Sequence, residues 1–263
     1  MWSRQELKEK AKSNLKRYYW LAFAVCLVAG ILSGSTGSPG GGRGTSEKYS
    51  DMIGNNSFYP GNDISRIGDE AGQWIIRFLP FIIGFALLAM IIGVVFAIFV
   101  SGPVGAGKVY FFMNSRENQP RFTNMFANFR QGRYMNTVTV MFFRGLYTFL
   151  WSLLFIIPGI IKSYEYFMVP YIMAENPDID KSRAFELSKY MTDGDKFNIF
   201  VLQLSFLGWY LLGALLVIGG FFVNPYVEAT MAELYAEKRE EAIMSGFTSE
   251  SELCGFSDQA GNF

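Results

Sequence analysis

The sequence predicts an all-α fold: a polytopic membrane helical bundle of about six transmembrane helices, arranged as three hairpins, each preceded by an amphipathic cytoplasmic helix. Three observations carry that prediction. The chain of 263 residues is 51% hydrophobic and 17% aromatic, with 26 Phe and only 17% charged residues, too apolar for one soluble domain of this length. Uncharged runs long enough to cross a hydrocarbon core of roughly 30 Å recur along it. Lys and Arg gather in every second connection, as they do in cytoplasmic loops.

The first span, residues 18–33, is entered through Tyr18, Tyr19 and Trp20, side chains that favour the headgroup level. Positive charge ahead of it and "SGSTGS" behind it would also fit a signal peptide, but the preceding polar segment is long and reads as a helix of its own. The second span, 78–101, belongs to an uncharged stretch from 78 to 107. The third starts at Tyr134, and Arg144 is the only charge up to residue 161. "IIPGIIK" at 156–162 places Pro158 and Gly159 where a helix breaks. The third span therefore ends near 157, and a short fourth runs to about 174 with Pro158 in its first turn. Residues 197–227 are uncharged, too long for one comfortable crossing and short for two. A tight turn at Gly219-Gly220 divides them into a fifth span, 197–218, and a sixth, 221–236, which carries Glu228 and Glu233.

The basic residues set the orientation. Arg4, Lys8, Lys10, Lys12, Lys16 and Arg17 precede the first span; Lys108, Arg116, Arg121, Arg130 and Arg133 separate the second from the third; Lys181, Arg183, Lys189 and Lys196 precede the fifth. A multi-pass plasma-membrane protein with both termini cytoplasmic satisfies this pattern. Residues 1–243 form a single integral-membrane domain, within which the Gly/Ser-rich segment 34–72 reads as a flexible outer loop. Residues 244–263 read as a disordered cytoplasmic tail.

The same unit is written three times. An amphipathic helix comes first: Leu7, Ala11 and Leu15; then Phe122, Met125, Phe126 and Phe129; then Ala184, Leu187 and Met191. Ser3 and Glu6 make a capping box for the first of them. A cationic or aromatic step follows (Arg17-Tyr18, Arg133-Tyr134, Lys196-Phe197), then a hairpin whose returning span pairs a Pro with a small residue four on: Pro103/Gly107, Pro170/Ala174 and Pro225/Ala229. Any membrane hairpin flanked by basic interfacial residues would share the outline, so internal duplication is one of two readings.

The ordered segments "ELKEKAK" before "YYW", "IIPGIIKSY", "AENPD", "LSKYMTDGDKF", "LQLSFLGW" and "PYVEAT" resemble an integral-membrane family of Gram-positive bacteria catalogued as domain of unknown function 975. The resemblance runs from residue 3 to about 237. It implies a multi-spanning bacterial plasma-membrane protein and brings no activity, cofactor or catalytic residue. The long outer segment and the Ser-rich tail depart from the family pattern.

Several chemistries are excluded outright. The chain has no His and only two Cys, which removes His-dependent triads, His-ligated zinc and a disulfide framework. Its 23 basic and 23 acidic residues balance, leaving no excess charge for nucleic acid. "GPVGAGK" at 102–108 has the outline of a phosphate-binding loop, but Val109 replaces the required Ser or Thr. In "DIDKSR" the acids serve better as a helix N-cap than as metal ligands. No cofactor or metal is expected, and no catalysis. A charge inside the bilayer is costly, so Arg144, Glu228, Glu165 and Lys162 form the candidate intramembrane polar site. Arg144 lies about 15 Å of helix rise beyond Tyr134, at mid-membrane, or at the interface if the span slides to 145–161. Glu228 is its best partner, while Lys162 and Glu165 read as a local i, i+3 pair. Pro158, Gly159, Pro170, Gly219, Gly220 and Pro225 are the helix-break positions. Two functions follow. The first is a non-catalytic membrane protein whose partners are lipids, another membrane protein or a second copy, its amphipathic helices lying against the bilayer. The alternative is a small-molecule, ion or lipid transporter or channel using Arg144 and Glu228.

Overall fold

A computed structural model describes residues 2–33, 64–130, 134–215 and 219–256, with only the backbone described for 64–76, 128, 130, 214–215 and 219–221. All the regular structure among them is helical. In chain order the helices are α1 (Arg4–Leu15), α2 (Tyr19–Ser33), α3 (Ile64–Phe96), α4 (Gly102–Glu117), α5 (Ala127–Arg130), α6 (Tyr134–Leu154), α7 (Ile156–Glu165), α8 (Val169–Glu175), α9 (Lys181–Thr192), α10 (Lys196–Leu204), α11 (Leu207–Leu215) and α12 (Gly219–Met244). A π-helical turn, Ala97–Ser101, precedes α4, and a 3-10 turn, Phe122–Phe126, precedes α5. The chain divides into two compact units, Ser38–Phe96 on one side and Met1–Gly37 with Ala97–Phe263 on the other.

In the smaller unit, α3 is apolar on every side from Phe78 onward, and every side chain described along it is exposed, Phe81 and Phe85 at 74%. Only a nonpolar solvent suits such a helix. It begins at Ile64, inside the segment expected to be a flexible outer loop; the rest of that loop, 34–63, lies outside the described residues. Two stretches are long and apolar enough to cross a membrane, Arg77–Glu117 and Tyr134–Leu154. Arg4–Leu15 and Tyr19–Leu32 add a third if this pair, bent by 100°, counts as one.

The larger unit has a packed zone and a bare apolar zone. α1 is started by Ser3, whose Oγ accepts the Glu6 N–H at 3.1 Å, as the capping-box spacing predicts. Its Leu7, Ala11 and Leu15 are buried in the core. The corresponding side chains of α9, Ala184, Leu187 and Met191, are buried too, and so is Met125. These apolar faces therefore pack against protein and are not free to lie on a bilayer, as the sequence reading had them. The bare zone comprises the end of α6 with the start of α7 (Leu153, Phe155, Ile156 and Ile157 at 67–76% exposure) and α10–α11.

Helix boundaries depart from the expected spans at three points. The fourth span is two helices, because α7 stops at Glu165 and α8 restarts at Val169 with Pro170 in its first turn. The fifth is also broken, at Ser205-Phe206 between α10 and α11. Gly219 and Gly220 are not a turn but the first residues of α12, which runs unbroken to Met244 with Pro225 inside it. Packing along α12 outweighs the one hydrogen bond that the proline removes. The expected disordered tail is ordered over Ser245–Phe256: Leu253 and Phe256 are 0% and 1% exposed, so this stretch buries enough apolar surface to offset the cost of ordering it.

Of the small residues that follow each proline, Ala174 and Ala229 are buried, and Gly107 lies where a Cβ would come 1.9 Å from the Met125 carbonyl oxygen. Gly107→Ala is therefore expected to destabilise by roughly 1–3 kcal/mol or to abolish folding. Gly105→Ala, in the same helix with nothing within 4 Å of the added methyl, should be neutral or mildly stabilising. Thermal unfolding in detergent of the two variants checks this contrast in sign.

Candidate functional site

The packed zone is built around α12, whose Glu228, Glu233, Glu237, Lys238 and Arg239 each find a partner elsewhere in the chain. Glu233, 3% exposed, receives Arg116 Nε and Nη2 of α4 at 3.0 Å each and Asn14 Nδ2 of α1 at 2.9 Å. Glu228 pairs with Lys108 of α4 at 2.5 Å, and Glu237 with Lys10 of α1 at 2.7 Å. The pairs 10/237 and 14/233 fix α1 antiparallel to α12; 108/228 and 116/233 fix α4 parallel to it. Lys238 bonds Asp195, which also accepts from Trp2 Nε1 at 3.2 Å. Burial raises the Asp195 carboxyl, but the Lys238 ammonium, the Asn198 amide at 2.6 Å and Trp2 together hold it below its ordinary range.

Glu175, at the end of α8, is 0% exposed. Its carboxylate accepts Arg239 Nε at 2.7 Å, Tyr235 Oη at 2.6 Å and the Gly255 N–H at 2.6 Å. This one side chain thus ties α8, α12 and the C-terminal segment together. Arg183 of α9 grips the same segment, with Nε and Nη2 on the two oxygens of Glu252 at 2.9 and 3.0 Å. That bidentate pair lowers the Glu252 carboxyl below its ordinary range.

Arg144 has a backbone role. Pro170 has no N–H, so the Tyr166 carbonyl four residues before it lacks its helical donor. Arg144 Nε supplies one at 2.9 Å, supplemented by a long bond from the Val169 N–H at 3.4 Å. Buried Ser188 completes the join, donating to the Glu165 carbonyl at 2.8 Å and accepting the Met168 N–H at 3.2 Å. The first returning helix shows the same device. Pro103 leaves Phe99 without a donor, and the Tyr134 hydroxyl bonds that carbonyl. In α12 the Phe222 carbonyl, one residue beyond the Phe221 carbonyl that Pro225 frees, accepts the Tyr19 hydroxyl at 3.1 Å. Tyr19 and Tyr134 are the first residues of α2 and α6, so the donors occupy matching positions in two units.

The predicted polar site is only partly brought together. Arg144 and Glu228, expected as partners, take different ones: Arg144 the Tyr166 carbonyl, Glu228 the Lys108 ammonium. Tyr171 lies within electrostatic range of both. Lys162 and Glu165 do pair, at 2.8 Å, and Lys196 approaches the same carboxylate at 3.6 Å. Pro158 stands in the first turn of α7 after the extended Phe155, and a Cβ on Gly159 would come 2.6 Å from Ser152 Cα, so the α6–α7 hairpin closes there. The sequence reading missed Lys108 and Arg116, assigned to a loop. Their spacing of eight on an otherwise apolar helix was the available signal.

Two adjoining clefts open beside α1 and share Lys12 and Tyr226. One, of about 590 Å³, is walled by Leu15, Tyr19, Trp209, Phe222 and Val223, with Lys16 at its edge. The other, of about 440 Å³, is lined by Arg4, Gln5, Lys8, Glu9 and Ser205. Arg4, Lys8, Lys12 and Lys16 thus form one basic row at intervals of four. Among the described residues no group of three His, Cys, Asp or Glu could hold a metal ion.

A family model described as Protein of unknown function (DUF975) matches residues 153–242, from the end of α6 through most of α12. The chain is similar to that family over the stretch containing Glu165, Glu175, Pro170, Glu228 and Glu233. Neither a curated protein nor a solved structure matches it.

Two outcomes follow from this geometry. Arg144→Met should lower stability by roughly 1–3 kcal/mol, the cost of a partly buried carbonyl left with only its long bond from the Val169 N–H. Pro170→Ala restores an N–H at the required position, so the double variant should recover part of the loss; a thermodynamic cycle in detergent measures the coupling. For Glu252, whose carboxyl is depressed in the folded state, the stabilisation is present above the ordinary Glu value of about 4.3 and is lost as pH falls through the folded-state value. The protection of residues 247–256 against amide hydrogen exchange, relative to the intrinsic rate at each pH, should therefore fall selectively in acid, and Glu252→Gln should show that loss of protection already at neutral pH.

Proposed function

We propose that the chain is a non-catalytic multi-pass protein of the bacterial plasma membrane, with both termini cytoplasmic, that works through its contacts with lipid or other membrane proteins. The observation that carries this reading is the bare apolar zone. Phe155, Ile156 and Ile157 at the α6–α7 tip and Leu211 on α11 are 65–76% exposed, far more contiguous apolar surface than water tolerates. The ion-paired zone around α12 is a water-facing counterpart, and Lys10, Lys108 and Arg116, which the positive-inside rule assigns to the cytoplasm, pair there.

Six membrane-embedded legs remain the topology that this charge pattern asks for: α2, α3, α6, α7, α10 with α11, and the first half of α12. The α7 leg is the shortest of these. Glu165 is ten residues from the tip at Phe155, about 15 Å of rise against a hydrocarbon core of roughly 30 Å. It lies within 3.6 Å of Lys196, which in turn approaches Asp193, a side chain 82% exposed. The α7 leg is thus about half the length of α6, whose 21 residues are enough to cross; the two legs leave and return, so they do not change the parity of the chain. The transport reading is not adopted, because Arg144 and Glu228 both serve to hold helices together.

With Cys254 exposed and Cys26 partly buried, labelling tests the orientation directly. A membrane-impermeant maleimide should modify Cys254 only after the cells are permeabilised, while the protein resists extraction by alkaline carbonate. Labelling of Cys254 in intact cells would reverse the orientation, and release by carbonate would remove the membrane reading.

A further inference from the structure

We infer that the paired clefts beside α1 bind one anionic phospholipid, its phosphate between Lys12 and Lys16 and an acyl chain along Tyr19, Trp209, Phe222 and Val223. This inference rests on the membrane reading above and assigns that reading a specific lipid site. The first support is charge. Lys10, on the same helix, is held by Glu6 and Glu237, whereas Lys12 and Lys16 have no carboxylate partner among the described residues and edge a cavity whose other walls are apolar or aromatic. Lys8 is likewise without a carboxylate partner among them: it donates to Ser205 Oγ at 2.7 Å and sits 4.3 Å above the Phe206 ring. The row of four cations is offset only by Glu9, which accepts from Gln5 at 2.9 Å.

The second support is depth. Lys16 is the C-cap of α1, and Tyr19 and Trp20 begin α2. The change from basic to aromatic to aliphatic lining along the cleft matches the change from headgroup to interface to hydrocarbon. The third is size. A volume of about 590 Å³ lies within the roughly 300–1,000 Å³ of ligand sites. A zwitterionic headgroup would bring its own cation against Arg4, Lys8 and Lys12, so the surroundings select a lipid with net negative charge and no headgroup amine.

The test uses the full chain reconstituted in phosphatidylcholine nanodiscs with and without phosphatidylglycerol, followed by native mass spectrometry of the released protein. The wild type should retain one phosphatidylglycerol per chain in preference to phosphatidylcholine. Lys12→Gln with Lys16→Gln should weaken retention about thirtyfold, from roughly fivefold for each basic residue near an anionic surface, and the corresponding Arg pair should preserve it. Val223→Trp, which fills the apolar cleft and leaves the charges in place, should also abolish retention. Lys189→Gln, on the exposed face of α9, should change nothing. Equal retention of the two lipids by the wild type, or unchanged retention in the Gln pair, would overturn the site even though the protein inserts normally. Failure of the wild-type chain to enter nanodiscs at all would instead strike the membrane reading on which the site rests.

Discussion

Two carboxylates almost out of contact with water, Glu175 and Glu233, constrain everything packed around them. A buried carboxylate without donors would cost several kcal/mol, so each must be met from several directions at once. For Glu233 the donors come from α1 and α4; for Glu175 they come from α12 and the backbone of the C-terminal segment. Because both lie against α12, that helix becomes the common reference for the packed zone. The register of α1 and α4 along it then follows from which cation reaches which acid.

The prolines act at the other end of the same problem. Each returning helix carries one, and each opens a gap in the helical hydrogen-bond ladder. Arg144 and Tyr134 fill two of these gaps from neighbouring helices. The gap thus becomes a directional link between helices, which is useful where lipid supplies no hydrophobic drive for them to associate. The recurrence of proline, freed carbonyl and outside donor in two of the returning helices gives that part of the repeated sequence pattern a structural counterpart.

This division of labour bears on function. The charged groups that might have lined a pathway are used to hold helices in register, and the apolar faces of α1 and α9 are buried inside the protein. What remains for interaction is the opposite face of α1, a basic row above an apolar cleft, together with the bare hairpins. Both suit contact with a bilayer and its lipids better than chemistry on a solute.

The sequence alone determined what is local. Apolar runs and basic connections specify which stretches need a nonpolar solvent, the spacing of Leu7, Ala11 and Leu15 specifies a buried helix face, and Ser3 and Asp180 specify where α1 and α9 begin. Each of these depends on residues within a turn or two of one another. Tertiary structure alone decided the partners. Glu228 could have met Arg144 as far as its own neighbourhood shows, yet it meets Lys108, 120 residues away, and Glu233 meets Asn14, 219 residues away. The order in Ser245–Phe256 has the same origin. Nothing in that polar stretch predicts burial; it is held because Glu175, Arg183 and Arg239 present donors and acceptors where it lies. A charge in a sequence announces that it needs a partner, but only the packed chain determines which opposite charge lies within reach.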